Sequence, residues 1–233
     1  MREAERVRAA YARREQRGLE GRYSYWEPAN LYLYQGRERA LLSLLAEAGL
    51  LPLTDLRVLD VGCGEGAVLR DLLRYGARPE KLAGVDLLLS RLASARELNP
   101  HIAFSVGDAA SLPYLDGSFD LLLGFTLLSS VVEAAARRAA ASEMLRVLQP
   151  GGVLVIYDFW VNPRNPDVRP LRRAEVRQLF PGCTFNWRRV TLAPPLLRLL
   201  APFPFGGWLV CYLLEKLPFL CTHFLVAVRK GGL

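Results

Sequence analysis

Lysine is scarce in this 233-residue chain: Lys81, Lys216 and Lys230 are the only three among 30 basic residues. The rest are arginine, a mark of a GC-rich genome that says nothing of function. Histidine is scarcer still, with His101 and His223 alone. The four cysteines (Cys63, Cys183, Cys211, Cys221) include no C-x-x-C pair. These gaps exclude the ligand spacing of a zinc site, so no metal is expected, and free thiols in a reducing cytoplasm are the default. Residues 1–17 are charged throughout and lack the apolar stretch of a signal peptide. The longest uncharged run, residues 199–214, falls short of the ~18 apolar residues of a spanning helix. It is also broken by Pro202, Pro204, Gly206 and Gly207. No transmembrane segment and a cytoplasmic location are the expectations. The net charge is +7, but the arginines are dispersed. A solvated basic surface is favoured over a nucleic-acid footprint.

What is plentiful is apolar residues, at 52%, enough for one sizeable α/β core. Apolar runs of strand length alternate with helix-length segments. Strands are predicted over 57–61, 82–86, 102–106, 119–125 and 153–159, then 184–192 and 224–228. Helices are predicted over 37–49, 67–75, 90–98, 134–147 and 172–180. This alternation predicts a doubly wound, Rossmann-like seven-stranded sheet, mostly parallel with an antiparallel last strand. Residues 1–36 are expected to form an N-terminal helical and aromatic lid (Tyr23, Tyr25, Trp26, Tyr32, Tyr34). Residues 37–233 then form the main domain, with an apolar insertion at about 194–220 before the last strand. Ligands on such sheets bind beyond the carboxyl ends of the strands.

Gly62, Gly64 and Gly66 follow the first predicted strand and open a helix, where glycine permits a sharp turn and a close backbone approach. Residues 62–67 also satisfy the G-x-G-x-x-G/A dinucleotide fingerprint, with Asp86 some 20 residues on, as a ribose-binding acid would be. A NAD(P)-dependent oxidoreductase therefore stays open. Two acids argue against it. Asp60, at the end of the first strand, would repel a pyrophosphate but not an ammonium or a sulfonium. Asp108, in Gly107-Asp108-Ala109 after the third strand, can accept a hydrogen bond from an adenine amino group.

Four segments in order, VLDVGCGEG (58–66), GVD (84–86), VGDAASLPYLDGSFDLLL (106–123) and EMLRVLQPGGVLVIYDF (143–159), resemble the class I S-adenosylmethionine (SAM)-dependent methyltransferases of the type-11 domain group. The resemblance covers roughly residues 37–160. It implies SAM as cofactor, with S-adenosylhomocysteine as product. Asp60, Gly62 and Gly64 would surround the methionine end of SAM. Asp86 would hold the ribose hydroxyls, Leu87 the adenine face, and Asp108 and Ala109 the adenine edge. Phe125 would offer its carbonyl to the SAM amino group. In class I relatives an N-terminal segment closes over SAM, and here Tyr34 and Arg39 are candidates to do so, with Tyr32 and Gln35 beside them. Asp120 and Pro150-Gly151-Gly152 read as structural, and Cys63 as a space-filler.

The acceptor is less legible. Relatives with a histidine pair after the fourth strand have Ser129 and Ser130 as counterparts here, so no general base is obvious. Asp158, after the fifth strand, is either a base or a turn former. His223 is a second candidate, and Tyr157 and Glu133 are weaker ones. Arg164, Arg169, Arg172, Arg173 and Arg177 read as a solvated face. The expected reaction is methyl transfer to an oxygen, nitrogen or carbon of a small-molecule acceptor. An RNA methyltransferase and a non-catalytic SAM-binding protein are the alternatives. The apolar insertion could cap the acceptor, form a homodimer or make a membrane-surface patch; residues 208–214 offer no polar face for an interfacial helix, so a cap or dimer contact is expected.

Overall fold

The computed structural model describes residues 3–16, 24–162, 165–203 and 206–231. Tyr23, Arg164 and Pro204 lie outside the described residues. Seven strands form one sheet: β1 Val58–Val61, β2 Leu82–Asp86, β3 Ala103–Val106, β4 Phe119–Phe125, β5 Leu148–Phe159, β6 Thr184–Leu192 and β7 Cys221–Arg229. Their order is β3-β2-β1-β4-β5-β7-β6. β7 is antiparallel to both of its neighbours, β5 and β6. The other pairings are parallel. The predicted architecture is therefore the observed one.

Side-chain parity divides the sheet into two cores. Val58, Leu121, Leu123, Val153, Val155, Leu225 and Ala227 face one core, beneath α2 (Pro28–Glu47), α3 (Ala67–Arg74) and α4 (Leu89–Leu98). Leu59, Leu122, Leu154, Ile156, Phe224 and Val226 face the other, beneath α5 (Ala134–Val147) and α6 (Arg173–Leu179). The central strands must be apolar on both faces because helices cover both. Asp60 and Asp158 break that rule, at 1% and 0% exposure.

Two expectations need correction. The helix predicted over 37–49 begins nine residues earlier, so Tyr32 and Tyr34 are helical. Pro28 occupies its first turn, where the missing N–H costs nothing. Gly36 sits inside the helix, close to Glu215 and Arg39. The helix propensity lost there is outweighed by packing of α2 against β6 and α7 (Pro194–Leu200). β5 also begins earlier than expected. Its Leu148 pairs with Phe119 across a register shift, so Pro150, Gly151 and Gly152 lie within the strand.

α1 (Glu3–Gln16) packs over the carboxyl end of the sheet. Glu3 accepts a hydrogen bond from the Val132 N–H at 2.7 Å, Arg6 donates to the Ser130 carbonyl, and Arg13 pairs with Asp167 at 2.8 Å. The insertion between β6 and β7 holds α7, α8 (Gly207–Glu215) and a 3-10 turn at Pro218–Leu220. It builds a third apolar cluster with α2, from Ala29, Tyr32, Leu192, Leu197, Ala201 and Cys211.

Candidate active site

A cleft of about 1730 Å³ opens at the carboxyl ends of the strands, between α1, α2 and the sheet. Single small-molecule sites run to roughly 300–1,000 Å³, so two ligands fit side by side.

One end is built by the glycine loop. Gly62, Gly64 and Gly66 all have positive φ, at 76°, 55° and 73°. A Cβ on Gly64 would lie 2.2 Å from the Arg91 guanidinium, and one on Gly62 would lie 2.9 Å from Leu127. The loop is held by Asp86, whose carboxylate accepts from the Gly64 N–H at 2.8 Å and the Leu88 N–H at 2.9 Å. Asp108 accepts from the Ala110 N–H at 2.9 Å, shaping the turn after β3.

Asp60 is the penultimate residue of β1, on the α2 side of the sheet, and its Oδ1 is buried with no hydrogen-bond partner. Burial pushes its carboxyl up to about 7, and the Asp86 charge adds to the rise, while Arg37 and Arg91 oppose it. A buried acceptor left open costs about 1–3 kcal/mol, so this atom invites a cationic donor.

Asp60, Gly62, Asp86, Leu87, Asp108, Ala109, Phe125 and Tyr34 all line the cleft. Gly64 is not part of the wall but fixes the turn between Cys63 and Glu65, which are. Arg39 is not a wall residue and lies instead beside Gly36 and Glu215. Arg37 faces the cleft in its place, since Asn30, Leu33, Tyr34 and Arg37 share one helical face. Its guanidinium lies 5.4 Å from the Tyr34 ring centroid, 5.5 Å from Phe125 and 5.7 Å from Tyr157. Arg91 was also missed. It lies over the Tyr11 ring of α1 at 5.3 Å. Finding Arg37 needed only the correct start of α2; the approach of α1 to Arg91 is a tertiary fact without a local signal.

The two acid–base candidates separate by parity. Asp158 projects to the α5 side, away from the cleft wall, and is fully buried. Its oxygens accept from the Ser129 N–H at 3.0 Å and the Phe159 N–H at 2.8 Å. Burial raises its carboxyl to about 6 against those hydrogen bonds. It holds the turn after β4, which is the role of a turn former. His223 does line the cleft. Its ring stacks on Tyr157 at 4.7 Å with a 5° interplanar angle and meets Phe159 at 4.1 Å. Nδ1 is 3.0 Å from the Thr222 hydroxyl. Desolvation, with the Arg37 charge, lowers His223 to about 3, so the ring is neutral at physiological pH. Tyr157 lines the same chamber, and burial raises its phenol to about 12. Pro194, Pro195 and Leu197 of α7 close the side. Among the described residues, no group of three or more His, Cys, Asp or Glu side chains could hold a metal ion.

A seven-stranded sheet of this order, with a glycine loop after β1 and acids at the carboxyl ends of β1 and β2, defines the class I methyltransferase fold. Residues 58–152 match the family described as Methyltransferase domain. Over that segment the chain carries a class I SAM-dependent methyltransferase domain.

A demethylmenaquinone methyltransferase of Beutenbergia cavernae is 36% identical over 110 residues, covering 47% of this chain and 43% of the relative. A norajmaline N-methyltransferase of Rauvolfia serpentina is 31% identical over 130 residues, covering 54% and 44%. The chain thus spans less than half the length of these two curated relatives. Among solved structures, a chain from the complex of the Haloferax volcanii Trm112 methyltransferase activator with a methyltransferase superposes with a TM-score of 0.64. That match is at 20% identity and covers 98% of both chains. The [4+2]-cyclase SpnF superposes at 0.57, with 26% identity over 83% of this chain and 80% of that one.

Proposed function

We propose that the protein transfers the methyl group of SAM to a small, largely apolar acceptor held beside Tyr157, Phe159 and His223. The single observation that carries the reading is Asp60: a buried carboxylate oxygen without a partner, next to a loop of left-handed glycines. The donor set fits SAM. Asp60 suits its cationic end, and Arg37 with Tyr34 suits its carboxylate. Asp86 keeps lone pairs for ribose hydroxyls after accepting its two backbone bonds. Leu87 would pack the adenine face, Asp108 and Ala109 would meet its edge, and the Phe125 carbonyl would accept from the ammonium. A dinucleotide fits less well, because its pyrophosphate would face the Asp60 carboxylate.

When bound, SAM supplies an electrophilic methyl group on a sulfonium. The chain supplies position. The aromatic chamber excludes water and aligns the acceptor, and alignment alone lowers such barriers greatly. A neutral His223 hydrogen-bonds but removes protons poorly, so the acceptor is a group that needs no strong base at the moment of transfer. The relatives named for quinone and alkaloid methylation support an aromatic or lipophilic small molecule. The likeness to SpnF favours a second reading, a SAM-binding protein with other chemistry, because one fold hosts many reactions.

Calorimetry with SAM, S-adenosylhomocysteine and NADPH tests the cofactor, and binding of NADPH alone would sink the proposal. Radiolabelled methyl transfer to a panel of hydroquinones and cyclic amines tests the reaction. SAM binding without turnover on any panel member would leave the second reading in place.

A further inference from the structure

Nine of the sixteen large apolar side chains exposed among the described residues fall within residues 199–219. Leu199, Phe203, Leu209, Leu213 and Phe219 are each more than half exposed, at 58% to 71%. Solvated helices normally present a polar outer face, and α8 does not. Its inner side is apolar because Gly207 and Cys211 pack into the protein. Its outer side is apolar and, among the described residues, exposed. A contiguous apolar face of this kind marks a contact surface.

The charges around this face identify what covers it. Residues 194–220 contain three charged side chains, Arg198, Glu215 and Lys216. The only acid, Glu215, is turned inward. Its carboxylate accepts from the Tyr32 hydroxyl at 3.0 Å and the Thr191 N–H at 3.1 Å. Both cations stay exposed, Arg198 at the rim of the cleft and Lys216 at the end of α8. Lys216 lies over the Tyr212 ring at 4.4 Å, and Trp208 packs edge-on to Tyr32 at 5.7 Å. Apolar bulk, amphipathic Trp and Tyr, and outward cations with no outward anion compose a surface for a lipid–water interface. A second copy is a poorer match, because each chain carries +7 and would bring its own cations against like charge.

We propose that the outer face of α7 and α8 docks on an anionic membrane surface, lying in the headgroup region without crossing it. No described helix is long and apolar enough to cross. This docking does not depend on what the cleft methylates.

Sedimentation with phosphatidylcholine vesicles, with and without phosphatidylglycerol, tests it on the full chain. Wild-type protein should pellet with the anionic vesicles, less so with the neutral ones, and release as salt rises. The Leu209→Glu/Leu213→Glu double variant should remain in the supernatant. Because both side chains are exposed, its circular dichroism and SAM affinity should match wild type. Lys216→Glu should lower vesicle partitioning several-fold. Wild-type protein that ignores anionic vesicles would overturn the proposal. So would a dimer in light scattering that the double variant dissociates, since the face would then be covered by a second copy.

Discussion

Acidification should weaken SAM binding through Asp60. Its carboxyl is held at about 7 by burial in the free protein, and a cationic ligand prefers the ionised form. Binding below that value must therefore release a proton. At pH 7 about half of the free protein has Asp60 ionised; at pH 5.5 the fraction is about 3%. Affinity should fall about 15-fold over that interval, or about 1.6 kcal/mol. Calorimetry in buffers of different ionisation enthalpy reads both the affinity and the proton release. Asp60→Asn should bind SAM weakly and flatten the profile. The free protein follows the opposite sign. Asp60 has a folded value of about 7 against 3.8 unfolded, so the unfolded chain ionises first. Its contribution to stability is therefore lost as pH rises from about 4 to 7. Asp158 acts in the same sense up to about 6, whereas His223, lowered to about 3, acts oppositely. The Asp60 share is best read as wild type minus Asp60→Asn. An affinity that is constant from pH 5.5 to 7, or proton uptake on binding, would refute the placement of the cation beside this carboxylate.

Four further outcomes follow from the same geometry. Gly64→Ala should lower SAM affinity several-fold in calorimetry, because its φ of 55° disfavours a side chain and the Arg91 guanidinium must move aside for the Cβ. Arg37→Ala should weaken SAM binding in calorimetry, whereas Arg39→Ala should leave it unchanged. Asp158→Ala should lower stability to denaturant by about 1–3 kcal/mol through the orphaned Ser129 N–H, with SAM affinity intact. The pH–rate profile of methyl transfer should show no inflection near 6.5 from His223, since that ring is neutral above about 3.

The strand–helix alternation was readable because parallel strands buried on both faces must be apolar throughout. Strands β2, β4 and β6 and helix α5 fall at their predicted bounds. The cleft acids were readable for a similar reason: a carboxylate ending an otherwise apolar strand has few places to go but the ligand crevice. Asp158 shows where that logic stops. It too ends a strand, but its parity turns it to the far face, and only the register of β5 against β7 decides which face is which. The start of α2 was hidden by the aromatic content of residues 25–34 and by Gly36, both poor helix signals taken alone. That one misplacement moved the expected cation from Arg37 to Arg39, half a turn away. Arg91 and Tyr11 meet only because α1 crosses the sheet.

The division of the sheet by parity has an evolutionary consequence. Phe125, Tyr157, Phe159 and His223 stand on one face at the mouth of the cleft. Their alternate neighbours on β5 and β7, Ile156, Asp158 and Phe224, are committed to the other core. Were this chamber to hold the acceptor as proposed, mutational drift in it could explore new acceptors without disturbing the packing beneath α5 and α6. A lineage carrying this sheet could then alter its substrate one alternate residue at a time while the core beneath α5 and α6 stays as it is.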